Sequence, residues 1–219
     1  QGRLGGQHGA EMAAKFIVDN LKAWGLQPAG DNGTWFQKFP LKDRFEVKPG
    51  LSFSIDRGRG FQPFFYLERN MDWAVIDFSG SGRVIAEIVF AGFGLSAPDK
   101  GYDDYAGIDV NGKVVVFCHD FPEFASKKGL EEAASMENRL AAARKHGAAA
   151  VIVFARPGNF WEAPSTYFPT FRIDQSAYQK DLPIIGISQK ILSYMFDDQG
   201  QDPAGTIKDI ERNGKPHSF

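Results

Sequence analysis

The chain has 219 residues, 43% of them hydrophobic, and a net charge of −2, a composition that excludes a disordered polymer. No basic block exceeds Lys127-Lys128, which excludes the positive stripe that nucleic-acid phosphates demand. No apolar run reaches the ~20 residues of a membrane-spanning helix, and the opening QGRLGGQHG lacks the apolar core of a signal peptide.

The first element is an amphipathic helix. Ala10, Ala13, Ile17, Leu21 and Trp24 recur at steps of three and four, with Glu11, Lys15, Asp19 and Lys22 on the opposite face. Gly25 stands where a left-handed cap belongs, and Pro28 prevents the helix from resuming. A short extended piece, Trp35 to Leu41, follows. From about Leu51 to Phe117 the period changes to two. Leu51, Phe53 and Ile55 alternate with serines, and Val84, Ala86, Ile88 and Phe90 form a second row that Gly92 and Gly94 interrupt. Lys113 to Cys118 is an apolar run suited to a buried strand. Short strands between Gly, Asp, Asn and Pro clusters predict a barrel or sandwich rather than a doubly wound sheet.

Helix and strand alternate in the last third. Met136, Leu140, Ala143 and Gly147 make a narrow helical seam, Ala148 to Phe154 a buried strand, and Leu182 to Ile187 another. Ser188 is placed to cap a further helix, and Asp202-Pro203 to open a last one that stops near Gly214. The tail, residues 216–219, shows no closing element.

Three stretches together carry a resemblance. Residues 5–41, from GGQHGAEMAAKFIVDNLKAWGLQPAG to WFQKFPL, resemble the opening helix and first strand of co-catalytic di-zinc aminopeptidases, a family that includes the transferrin-receptor and glutamate-carboxypeptidase ectodomains. Residues 88–117, IVFAGFGLSAPDKGYDDYAGIDVNGKVVVF, resemble the core of the protease-associated (PA) domain that many of these enzymes insert after that strand. The passage ending GAAAVIVF, followed by LPIIGIS, is similar to its second half. GYDDYAGIDVNGK is the most specific string.

The resemblance implies an α+β fold: a β-rich PA-type barrel or sandwich with flanking helices, plus an N-terminal helix-strand arm. It sets the arm at 1–44, the PA domain at 45–200, and a C-terminal helix with a connection to a catalytic domain at 201–219. The family's zinc ligands follow the PA insertion as a His-x-Asp, a bridging Asp, a Glu-Glu pair, another acid and a final His. That region is expected to lie outside these residues, so the chain is expected to hold no catalytic or metal-binding residue and no cofactor, with zinc in a full-length parent. An extracytoplasmic location comes with the same resemblance. The implied role is an accessory domain shaping substrate access or partner contacts. The alternative is a stand-alone peptide- or protein-binding module with no peptidase partner.

Read residue by residue, the chain assembles no triad or metal set. His8, His119, His146 and His217 show no i, i+4 pair. Glu131-Glu132 reads as a solvated helix start, and Cys118, the one cysteine, as a buried structural residue. Asp103, Asp104 and Asp109 invite a calcium reading, but Tyr102, Tyr105 and Ile108 interrupt the arc, and Asx-turns explain them better. Gly92 and Gly94 read as strand-bending glycines. The remaining feature is residues 156–172, RPGNFWEAPSTYFPTFR, where Phe160, Trp161, Tyr167, Phe168 and Phe171 stand among three prolines. Rings on a proline-stiffened loop either cap the core or form a contact surface for the catalytic domain or its peptide substrate. The apolar stripe of the first helix offers a homodimer contact.

Overall fold

The computed structural model describes residues 8–37, 52–56, 72–76, 79–156 and 181–219. Two units separate, Gln1–Lys42 and Asp43–Phe219. In the first, α1 (His8–Ala23) forms where the apolar spacing places it. It ends in paired capping bonds: Gly25, at φ 74, donates to the Lys22 carbonyl at 3.0 Å, and Leu26 donates to the Leu21 carbonyl at 3.1 Å. Lys15 and Asp19 pair at 2.7 Å one turn apart. The exposed apolar arc is wider than the expected stripe, because Met12 and Phe16 join Ile17 and Trp24 in it. The piece expected to be extended from Trp35 starts as a tight loop, with Asp31 N–H donating to the Phe36 carbonyl at 2.8 Å; residues 38–41 lie outside the described residues.

The second unit is built on two uninterrupted apolar runs, β5 (Val114–Cys118) and β6 (Ala150–Phe154), paired in parallel with Val114 opposite Ala150. β2 (Ile88–Phe90) lies parallel to β5, and β7 (Ile184–Ile187) lies parallel to β6. β1 (Trp73–Val75) completes the far edge antiparallel to β7, giving the order β1-β7-β6-β5-β2. A two-stranded hairpin, β3 (Ser96–Ala97) with β4 (Tyr102–Asp103), stands apart from this sheet.

The fold is therefore α+β, but the sheet is an open, mixed one and not the expected closed barrel or sandwich. The physical reason lies in β5 and β6 themselves. Strands apolar at every position need cover on both faces, and parallel neighbours need a crossover. Here the crossover is α2 (Glu123–Lys128), absent from the sequence reading, followed by α3 (Met136–Lys145). The alternating row at 84–90 makes a strand only over Ile88–Phe90. Residues 52–56 join no ladder, although Phe53 and Ile55 turn onto the core.

Period two then sorts the core. Val116, Cys118, Ile152 and Phe154 face a cluster covered by α2, α4 (Gln189–Phe196) and α5 (Pro203–Asn213). Val115, Phe117, Val151 and Val153 face a second cluster, covered by Leu140 and Ala143 of α3. The caps agree with the sequence. Ser188 Oγ accepts from Ile191 N–H at 3.4 Å, and Asp202 Oδ1 accepts from Gly205 N–H at 3.0 Å behind Pro203 at the first helical position. The tail differs from its expected open end. Phe90 N–H donates to the Phe219 carbonyl at 2.7 Å, Phe219 N–H returns the bond at 2.9 Å, and the two rings stack 4.7 Å apart.

Candidate functional site

The GFGLS and GYDDY strings meet around one carboxylate. Asp104 is fully buried, and its Oδ2 accepts from the N–H groups of Phe93 and Leu95, each at 3.0 Å. Its Oδ1 accepts from the Tyr102 hydroxyl at 3.0 Å. Gly92 and Gly94, at φ 45 and 69, form the turn that wraps it, rather than bending a strand. A Cβ at Gly92 would stand 2.5 Å from Asp104 Oδ1, so only glycine lets the backbone close in. Burial pushes the Asp104 carboxyl up to about 7 against the pull of its three hydrogen bonds. Its neighbours make the expected Asx-turns, Asp103 accepting from Tyr105 N–H at 3.1 Å and Asp109 from Asn111 N–H at 3.0 Å.

This turn packs beside the carboxyl end of β5, where a buried arginine gathers backbone. Arg139, on α3, donates through one terminal nitrogen to the carbonyls of Cys118 at 2.8 Å, Phe93 at 3.2 Å and Asp120 at 3.4 Å. The other terminal nitrogen donates to the His119 carbonyl at 2.7 Å. Its guanidinium carbon lies 5.5 Å from the Phe117 ring centroid. Burial lowers the guanidinium to about 10, so it stays charged at neutral pH. Burial, then the nearby Arg139 charge, brings His119 down to about 4 and keeps it neutral there. The Cys118 thiol is pushed up to about 12, chiefly by burial, which leaves it a packing residue and no thiolate at neutral pH.

Outside this buried layer is an ion cluster. Arg156 follows β6; its N–H and Nε donate to Asp120 Oδ2 at 2.7 and 3.2 Å, and a terminal nitrogen donates to Glu211 at 3.1 Å. Glu211, from α5, also accepts the N–H groups of Glu123 and Phe124 at 3.0 and 3.4 Å, capping α2 from another helix. The carboxyl ends of parallel strands are where open sheets place ligands. Here the described charged groups bind backbone and each other.

Sequence reading did not single out Arg139, Arg156 or Glu211. Arg139 left a signal: it sits between Met136 and Ala143 on the apolar seam of its helix, where a charged residue must find buried partners. Of the expected contact residues, Phe160, Trp161, Tyr167, Phe168 and Phe171 all lie outside the described residues. Arg156, the first residue of that segment, stands at the carboxyl end of β6. His146 stacks on Tyr105 with centroids 4.4 Å apart. Glu131 and Glu132 lie exposed in a turn ahead of the Ser135 cap. Among the described residues no three His, Cys, Asp or Glu side chains converge as a metal set, and no helix is long and apolar enough to cross a membrane.

The PA domain profile matches residues 82–193, which include the Asp104 turn, Arg139 and Arg156. Among solved structures the chain is similar to the aminopeptidase from Aneurinibacillus sp. strain AM-1, at 20% identity and a TM-score of 0.37, over 59% of this chain and 25% of that one. The matched part thus spans about a quarter of that enzyme's length. No curated protein matches.

Proposed function

The chain belongs to the PA domain family, and from that premise we propose that it is the non-catalytic accessory domain of a secreted or periplasmic zinc-dependent aminopeptidase, shaping access to the active site. Zinc and its ligands belong, in this reading, to the catalytic domain of the parent enzyme. One observation carries the proposal beyond family membership. The arm that resembles the opening of such enzymes presents large apolar side chains to water, with Phe16 70% and Trp24 71% exposed. Covering a large apolar side chain is worth about 1.5–3 kcal/mol, so a face of this kind favours a partner surface.

For the chain alone, the same face favours a homodimer. Sedimentation should find self-association that Phe16→Glu with Trp24→Glu abolishes while the melting temperature holds. A monomer at every concentration would sink the homodimer. The aromatic loop is proposed as the second contact, with the catalytic domain or its peptide substrate. Trp161→Ala and Phe168→Ala, made separately, should each shift the stability of the isolated chain by under ~1 kcal/mol while lowering kcat/KM or domain docking in a full-length parent. A loss of about 3–5 kcal/mol in the isolated chain would make these rings core and remove the contact.

A further inference from the structure

We propose that the groove between α2 and α5 is a docking site for an acidic, extended peptide segment. The recess holds about 340 Å³, and Lys127, Arg156, Lys208 and Arg212 line it together with Glu123 and Glu211. Both ends of α2 are tied to α5. Glu211 accepts the N–H groups of Glu123 and Phe124 at one end, and Lys128 Nζ donates to the Gly214 carbonyl at 2.5 Å at the other. The walls are therefore set before any ligand arrives, which lowers the entropy lost on binding.

The charges in the groove are not evenly engaged. Glu211 is occupied by Arg156 and by the two α2 N–H groups, and Arg212 pairs with Asp209 at 2.7 Å. Lys127 and Lys208 are exposed and have no ion-pair partner among the described residues. Arg156 is held by Asp120, Glu123 and Glu211, so the two cations that the groove leaves open are Lys127 and Lys208, on a chain whose own charge is −2. Carboxylates of an acidic peptide would supply the ion-pair partners that these two lysines lack among the described residues. A nucleic-acid backbone fits less well, because its unbroken phosphates would meet Glu123 and Glu211 in the same groove. The site does not depend on whether the chain serves a peptidase.

The test uses the whole 219-residue chain and the fluorescence anisotropy of three labelled probes. These are a peptide of alternating Glu and Ser, the same peptide with Gln for Glu, and a single-stranded oligonucleotide of equal charge. The acidic peptide should bind and weaken steeply with added salt, because exposed pairs are screened. Lys127→Glu with Lys208→Glu should lower its affinity by about tenfold or more, the milder pair Lys127→Gln with Lys208→Gln by less. The same charge change on α3, Arg144→Glu with Lys145→Glu, should leave it within about twofold. Melting curves of both groove pairs check that they fold. Absent binding, equal binding of the Gln peptide, tighter binding of the oligonucleotide, or an equal loss in the α3 pair would each overturn the site.

Discussion

Replacing Arg139 with Ala should cost about 3–5 kcal/mol of folding stability, a large share of the ~5–15 kcal/mol that holds a typical domain together. The substitution removes the donors of four carbonyls at the junction of β5, the Gly92–Gly94 turn and α3. Phe93 and Cys118 are fully buried, so water cannot replace the guanidinium there without opening the core. Arg139→Met is the discriminating variant, because it restores the stem and much of the volume but none of the donors. It should lose nearly as much as Ala, and Arg139→Lys should fall between. Arg144→Ala, on the exposed side of the same helix, should stay within ~0.5 kcal/mol. Urea midpoints at constant m read all four. A Met variant as stable as the parent would show that packing, and not donation, holds the strand end.

The second large effect is expected at Asp104. Asp104→Ala leaves two backbone N–H groups and the Tyr102 hydroxyl buried without their acceptor, at about 1–3 kcal/mol for each group left unmet. Asp104→Asn should be milder, and it isolates the titration. Burial pushes this carboxyl up to about 7 in the folded chain, against about 4 when unfolded. Between those values the folded chain holds a proton that the unfolded chain has released. The contribution to stability is thus complete below pH ~4, is lost as the pH rises toward ~7, and is level above that. The margin of the parent over Asp104→Asn should shrink by a few kcal/mol across that window. A margin that grows with pH would mean that the three hydrogen bonds outweigh burial.

Much of this architecture was legible in single residues. Ser188 and Asp202-Pro203 announce their helices because a cap needs only local chemistry, and Gly25 and Gly214 mark ends for the same reason. The apolar runs of β5 and β6 were equally clear as buried strands. Their pairing was not, because an apolar run says that both faces are covered without saying which strand is its neighbour. The alternating residues around Leu51 and Val84 outweighed the helix between β5 and β6, and so favoured a barrel over a crossover. The site was less legible still. Apart from Tyr102, two positions from Asp104, the partners of Asp104 and Arg139 lie 9 to 46 positions away, and no local spacing encodes such contacts. Asp104 could be found as one of an acidic group, but its separation from Asp103 and Asp109 appears only once the turn at Gly92 has closed over it.

The return of Ser218 and Phe219 to the sheet has a consequence for solubility. β2 is an edge strand, and the outward N–H and carbonyl of Phe90 are the kind of unpaired groups on which another chain's strand can nucleate aggregation. The tail occupies both groups, and its ring covers the Phe90 side chain. Ser218 and Phe219 therefore act as a self-supplied blocking strand, and substitutions that release them from Phe90 would leave the folded core largely intact while opening a template for strand exchange between copies.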